Sequence, residues 1–420
     1  MLRMRYFTVA ITLGLAALVG CVRTPPTVPT EEVFDPEPKI DVPEEDLKEL
    51  ARGNNEFAIE LFKKVAETEK GNIVLSPYSI RTALAMAYAG ARGETKEEMK
   101  KVLRFTLPDD RLHAALAKSS VGPNGENAPK IRTANALWLQ EGVPLSDEFL
   151  KLTQRHYNVG VQTVDFATQR NKAVGRINDW VEEKTEGMIP EFLSLNEVAE
   201  TCRLVITNCV YFKGGWADPF QPSRTVDVPF HNAGGADVAV PTMHRNTYVR
   251  YAVEEGFQLV VLPYAGGTHS MTVILPTAGT HEKFTGRLSL GELTRWLDES
   301  EMRSVQLALP KYDCVQKTEQ SDVLKKMGLR KSFGIHGDFS GLSPLNAFKL
   351  SAVIHQSRVA ADEAGTVAAA ATALTILEPI ESRVPLDPVS LRIDRPFLFF
   401  IRDHANQGIV FLGLVRSLEK

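Results

Sequence analysis

At 420 residues the chain is long enough for two or three domains, although large mixed folds form a single unit. Hydrophobic content of 44% and charged content of 24% are those of a globular protein with a sizeable core. A net charge of −4 spread over this length offers no basic stripe, so no nucleic-acid partner is expected. The first segment stands apart from any globular body. Met1 to Arg5 carries two arginines and Tyr6 to Leu18 is an almost uninterrupted apolar run. That is the pattern of a secretory signal over residues 1–20, and the run is too short to span a membrane comfortably.

The run ends in Leu18-Val19-Gly20-Cys21, which resembles a bacterial lipoprotein processing site. The resemblance implies cleavage before Cys21 and a diacylglycerol on its thiol; an ordinary signal peptide with a chance cysteine is the alternative. Several acyl chains make anchoring stable, so Cys21 would hold the exported protein to a bacterial membrane, in the cell envelope or at the surface, with no transmembrane segment. Val22 rather than aspartate follows the cysteine, which in a diderm host is compatible with the outer membrane. Release of the anchor would leave the protein extracellular. Residues 22–46 carry six prolines and eight acidic residues with almost no apolar periodicity. After Cys21 this segment, residues 21–46, is therefore expected to be a disordered tether, with a reach of about 75 Å if extended.

From Leu47 to the C-terminus helix and strand signals alternate irregularly, which predicts an α+β fold in one large domain rather than a repeating βαβ unit. Glu56 to Val65 sets Phe57, Leu61, Phe62 and Val65 on one helical face. Ser76-Pro77 is a helix start with serine as cap and proline in the first turn, and Ile80 to Ala91 reads as a buried helix. Thr95 with Glu98 predicts a capping box for a helix running through Leu103. Asn171 to Glu186 reads as an amphipathic helix. Leu204 to Phe212 is a continuous apolar run rich in β-branched residues, as expected of a strand covered on both faces. Gln258 to Pro263 and Met271 to Leu275 flank Ala265-Gly266-Gly267-Thr268 and predict a hairpin. Phe397 to Ile401 and Ile409 to Val415 predict another, around Asp403 to Gly408.

Apart from Cys21, the cysteines are Cys202, Cys209 and Cys314. Cys202 and Cys209 sit seven apart on an apparent strand, hence on opposite faces and out of disulfide reach, so buried free thiols are expected. Neither a Cys-x-x-Cys nor a His-Glu-x-x-His spacing occurs, so no metal is expected, and no cofactor. An enzyme is the main rival class. There is no Gly-x-Ser-x-Gly elbow, no phosphate loop and no Gly-x-Gly-x-x-Gly fingerprint, and the nine histidines read as surface or structural groups.

One segment remains. Glu363-Ala364-Gly365-Thr366-Val367-Ala368-Ala369-Ala370-Ala371-Thr372-Ala373 is small and nearly uncharged. Alanine content favours a helix turn; small and β-branched side chains equally suit a segment that later becomes a buried strand. Its surroundings decide. Phe348 to Asp362 before it and Asp394-Arg395-Pro396-Phe397-Leu398-Phe399-Phe400-Ile401 after it resemble the hinge and C-terminal hairpin flanking the reactive-centre loop of serpins, the suicide inhibitors of proteases. Asn54-Asn55-Glu56-Phe57-Ala58, Asn72-Ile73-Val74-Leu75-Ser76-Pro77-Tyr78-Ser79-Ile80, Thr207-Asn208-Cys209-Val210-Tyr211-Phe212-Lys213-Gly214-Gly215-Trp216 and Asp338-Phe339-Ser340-Gly341-Leu342 are similar to further serpin segments, in the family's order.

The resemblance implies a single serpin domain over 47–420, with three sheets, about nine helices and an exposed reactive-centre loop over about 363–391. It implies an irreversible inhibitor of serine proteases, not an enzyme, acting as a monomer. A non-inhibitory, membrane-anchored binding or chaperone module of the same fold is the alternative. The hinge would comprise Glu363, Gly365, Thr366, Ala368, Ala370 and Thr372; none is proline, and the residues that would be buried on insertion are uncharged, as an inserting strand requires. Ser76, Ser79, Asn208 and His355 match the polar cluster beneath the serpin central sheet, either a latch on two central strands or static core polarity. Trp216 stands where the loop first enters the sheet, with plain core packing as the alternative.

The loop is longer than serpins usually carry, so counting from its two ends gives different scissile bonds. The hinge count points to Leu377, Glu378, Pro379 and Ile380, and so to a chymotrypsin-, elastase- or subtilisin-like protease. Arg383-Val384 would suit a trypsin-like one but leaves more chain than insertion expects. Proline after the scissile bond argues against Glu378-Pro379.

Overall fold

The computed structural model describes residues 41–119, 128–157, 161–345, 348–366 and 388–419. In chain order they form α1 (Glu44–Thr68), β1 (Ile73–Leu75), α2 (Pro77–Gly90), α3 (Gly93–Val102), α4 (Asp109–Ser119), β2 (Lys130–Gln140), α5 (Asp147–Tyr157), β3 (Val161–Val164) and α6 (Arg170–Lys184). Next come β4 (Leu204–Gly215), β5 (Val226–Phe230), β6 (Val238–Glu254), β7 (Phe257–Pro263), β8 (His269–Pro276), α7 (His281–Arg287), α8 (Leu290–Glu299), β9 (Glu301–Pro310), β10 (Tyr312–Glu319) and α9 (Ser321–Met327). The chain closes with β11 (Ala352–Ala361), β12 (Gly365–Thr366), β13 (Val389–Arg392), β14 (Phe397–Asp403) and β15 (Ile409–Val415).

Local chemistry accounts for the start of α2 and the β7–β8 turn. At the start of α2 the Ser76 side chain accepts a hydrogen bond from the Ser79 backbone N–H, and Pro77 occupies the first turn, where its missing N–H costs nothing. Gly266 and Gly267 take φ of 79° and 67°, the left-handed conformation that closes the β7–β8 hairpin. The expected face of α1 is buried: Phe57, Leu61, Phe62 and Val65 all lie in the core.

Three local expectations change. The first helix begins at Glu44 and the compact unit at Val42, not at Leu47. Glu44, Glu45 and Asp46 look like tether by composition, yet acidic groups favour a helix N-terminus. Asp46 is also buried, and Arg111 of α4 donates to it at 2.9 Å. Thr95 and Glu98 form no capping box, because α3 starts earlier, behind Arg92. They face another chain segment instead: the Asp338 N–H donates to the Thr95 hydroxyl at 2.9 Å and the Lys331 N–H to the Glu98 carboxylate at 2.7 Å. Cys202 precedes β4 rather than lying on it, and packs in the same cluster as Cys209. Cys202, Cys209 and Cys314 are free and buried.

Among the described residues the strands join into two hydrogen-bonded sheets rather than three, flanked by nine α-helices. The 17-residue β6 is the reason. One end pairs with β5, the middle with β9 and the other end with β7, so two of the expected sheets run together in one nine-stranded ladder. The second sheet has six strands in the order β10-β11-β12-β4-β2-β3. Its β4 is buried on both faces, as its apolar run predicts. Leu204, Ile206, Val210 and Phe212 point inward to the main core, whereas Val205 and Cys209 point outward beneath α6, among Ile177 and Val181.

Candidate functional site

The centre of the six-stranded sheet is a parallel pair. β11 runs beside β4 from Ala352↔Val205 to Arg358↔Tyr211. Above that stretch the strands separate, and two further residues occupy the gap. Gly365 and Thr366 form β12, with Thr366 opposite Ala361 of β11 and Gly214 of β4, and Gly365 opposite Gly215. The fit requires glycine, since a Cβ on Gly365 would come within 2.1 Å of the Gly214 carbonyl oxygen. Thr366 is fully buried.

A tight turn brings the chain back into the sheet. The Asp362 carboxylate accepts from the Ala364 and Gly365 N–H groups at 2.9 and 3.0 Å. Trp216 then holds the outside of the turn: its indole N–H donates to the Asp362 carbonyl at 2.9 Å and its backbone N–H to the Ala364 carbonyl at 2.9 Å. The Phe220 N–H donates to the Glu363 carbonyl at 2.8 Å. The Glu363 carboxylate receives Lys311 Nζ at 2.8 Å and the Thr225 hydroxyl at 2.7 Å. Burial alone would raise its pKa, but these two partners outweigh it and hold the carboxyl below the usual glutamate value. Inside the sheet the Thr366 hydroxyl lies 2.7 Å from that of Tyr264. The Tyr264 ring stacks flat on Trp216, with centroids 4.8 Å apart and planes 8° off parallel.

Lower down, where the parallel pair is closed, lies a buried polar cluster. Asn208 and His355 are paired residues across the β4–β11 seam. The Ser76 N–H donates to His355 Nε2 at 3.2 Å, which fixes the neutral tautomer with its proton on Nδ1, donated in a short bond to Asn208 Oδ1. Burial holds the His355 pKa down to about 3. Asn208 Nδ2 donates to the Ser79 hydroxyl at 2.6 Å, Ser79 donates to Asn135 Oδ1 at 3.0 Å, and the Ser76 hydroxyl donates to the Val410 carbonyl at 2.8 Å. The cluster thus ties α2, β2, β15 and both seam strands together.

Ser76, Ser79, Asn208 and His355 therefore come together, whereas Trp216 joins the turn before β12 and not this cluster. Ala368, Ala370, Thr372, Leu377, Glu378, Pro379, Ile380, Arg383 and Cys21 lie outside the described residues. Four participants escaped sequence reading: Asn135, Tyr264, Lys311 and Thr225. Asn135 alone left a signal, as an amide in the otherwise apolar run Ala134 to Leu139. The others are ordinary residues whose partner lies far along the chain. Among the described residues no group of three or more His, Cys, Asp or Glu side chains is placed to hold a metal, and no helix is long and apolar enough to cross a membrane.

The sequence profile described as Serpin (serine protease inhibitor) matches residues 52–418. An uncharacterised serpin-like protein of Thermococcus kodakarensis is 36% identical, over 98% of this chain and 98% of its own. The leukocyte elastase inhibitor of Sus scrofa is 33% identical over 88% of this chain and all of its own length. Serpin48 of the insect Tenebrio molitor superposes with a TM-score of 0.79 at 29% identity, covering 89% of this chain and 99% of the insect one. With a parallel strand pair that admits a loop at its top and a family match over almost the whole described body, the chain belongs to the serpins, a family composed mostly of protease inhibitors rather than enzymes.

Proposed function

We propose that the protein is an irreversible suicide inhibitor of serine endopeptidases. The observation that carries this reading is β12, the start of the loop already seated between β4 and β11. The protease's serine Oγ attacks the carbonyl carbon of the scissile residue, the C–N bond breaks, and the new amine leaves as the N-terminus of the C-terminal fragment. The cleaved loop, esterified to the protease, then continues along the path β12 has begun. Each seam position loses one parallel contact between β4 and β11 and gains antiparallel contacts on both sides. Antiparallel pairing is slightly the stronger per residue, and the resting state is a kinetic trap above the inserted one.

The β12 register also supports the scissile window counted from the hinge. Continued downward, it would set Ala368 between Val359 and Phe212, Ala370 between Ser357 and Val210, and Thr372 between His355 and Asn208. The even-numbered loop residues would then face inward with Thr366, and Thr372 would meet the polar cluster. The last seam pair, Ala352 with Val205, would be reached at Thr375, just short of Leu377 to Ile380. Leu377 and Ile380 suit a chymotrypsin-, elastase- or subtilisin-like protease, and a relative named for elastase inhibition supports that class.

The deciding experiment mixes the protein with elastase-, chymotrypsin-, subtilisin- and trypsin-type proteases and reads intact mass and a denaturing gel. A covalent adduct with a released C-terminal peptide is expected, and the peptide's mass names the bond. Cleavage without adduct across the panel, with no rise in thermal stability of the cut protein, would leave the non-inhibitory binding or chaperone module.

For residues 1–41 we propose export, cleavage before Cys21 and a lipid anchor on its thiol, followed by a tether, so that a monomeric inhibitor works at a bacterial membrane surface. Cys21→Ser should move the protein from the detergent phase to the aqueous phase on detergent partitioning and abolish labelling by a fatty acid. Unchanged partitioning would remove the anchor.

A further inference from the structure

Tyr264 and Thr366 are 102 residues apart in sequence, fully buried, and hydroxyl to hydroxyl at 2.7 Å. Buried hydroxyls need partners, and neither of these makes another side-chain hydrogen bond among those the structure records. The tyrosine cannot swing away from the contact. Its ring is stacked on Trp216 and packs against Phe212 at 4.8 Å, its N–H donates to the His269 carbonyl at 3.0 Å, and its backbone bridges to that of Trp216. The turn from Asp362 to Gly365 is held by Asp362, Trp216, Phe220 and the two partners of the Glu363 carboxylate, none of which hydrogen-bonds to the Thr366 side chain. Thr366 itself is held by backbone pairing with Ala361 and Gly214, which any residue could make, and by one bond specific to its side chain, that with the Tyr264 hydroxyl.

We infer that Tyr264 is a positioning residue that parks Thr366 inside the top of the central sheet in the resting protein. By fixing the first loop residue in register, it sets how readily the remainder follows after cleavage; this second consequence rests on the trapping reading above. The loop therefore starts from a seated position and not from solvent, and the first step of opening the seam is taken before any protease arrives.

The test is a double-mutant cycle on the full chain with two readouts. Tyr264→Phe and Thr366→Val each keep shape and leave one buried hydroxyl without a partner; together they remove both. Without protease, amide exchange of Gly365 and Thr366 is measured relative to global unfolding. Each single variant should speed it about tenfold, and the double variant should return close to the wild-type rate, because removing both partners is nearly neutral. With a trapped protease, the fraction of adduct should fall in both singles and recover in the double. Unchanged hinge exchange in the singles overturns the inference, as does exchange raised as much in the double, which marks simple loss of packing. Adduct yield indifferent to all three variants overturns the control of insertion. If the exchange pattern appears but the wild-type protein traps no protease, parking stands and the inhibitor reading fails.

Discussion

The two polar regions of the seam between β4 and β11 do opposite work with similar parts. In the lower one, Asn208 and His355 bond to each other across the seam, and Ser76, Ser79 and Asn135 complete the set, so the strands are held shut. In the upper one, Tyr264 bonds to Thr366 of a third strand and Trp216, Lys311 and Thr225 bond to the turn that leads into it, so the strands are held apart. Polar groups buried in a sheet thus specify whichever strand satisfies them, and a seam whose two ends have different clients is open at one end and closed at the other.

The largest effect on this contrast is expected from Thr366→Arg. A guanidinium at that buried site has no counter-charge, and burying it would cost several kcal/mol. The hinge should be expelled, the adduct lost from the denaturing gel, and cutting the loop should no longer raise the melting temperature. Next comes Asn208→Ala, which opens the closed end. It strands the His355 Nδ1 proton and should lower stability by about 3 kcal/mol, read from the unfolding midpoint, with faster conversion to a loop-inserted, inactive form.

The pH dependence sharpens the comparison because the two ends titrate differently. His355 is neutral when folded, with its pKa held down to about 3 against the ordinary 6.5. Between these values the unfolded chain binds the proton and the folded one does not. The stability is therefore complete above 6.5 and falls as pH drops toward 3, by about 2 kcal/mol at pH 5 from this residue. His113, also held down by burial, to about 4, adds to the same slope. Thermal unfolding from pH 7 to 4 should show a shallower decline in His355→Gln; an unchanged slope would mean the cluster tolerates a charged imidazole. Glu363 at the open end is lowered too, so its contribution is present above the ordinary glutamate range and lost only in stronger acid. The smallest effect belongs to Glu363→Gln. Lys311 is 38% exposed, so water screens the pair, and a loss of under about 1 kcal/mol in urea unfolding is expected.

The closed end was largely legible in the sequence and the open end only in part. Ser76-Pro77 announces a capped helix through local geometry, and the apolar run around Asn208 announces a strand covered on both faces, so a polar residue within it invites attention. Resemblance linked these to His355 and assigned Glu363, Gly365 and Thr366 to a hinge. The partners of that hinge have no local signature: Tyr264 follows the last residue of one strand of a hairpin, and its relation to Thr366 exists only once β4, β7 and β12 meet. The same limit explains Thr95 and Glu98, whose spacing satisfies a capping rule while their real acceptor role is set by Lys331 and Asp338. It also explains Asp46, which composition groups with the acidic tether but Arg111 draws into the body.

Cys209 gives the seam a built-in reporter. It lies on β4 opposite Gln356 of β11, it is fully buried, and burial pushes its thiol pKa well above the ordinary value. A thiol in that state reacts with nothing, because only the thiolate attacks and no reagent reaches it. Every modification of Cys209 in the folded protein therefore counts a moment when the strands have parted or α6 has lifted. The rate of labelling, resolved from Cys202 and Cys314 by peptide mass, converts the frequency of breathing along this seam into chemistry that can be timed in the unmodified chain.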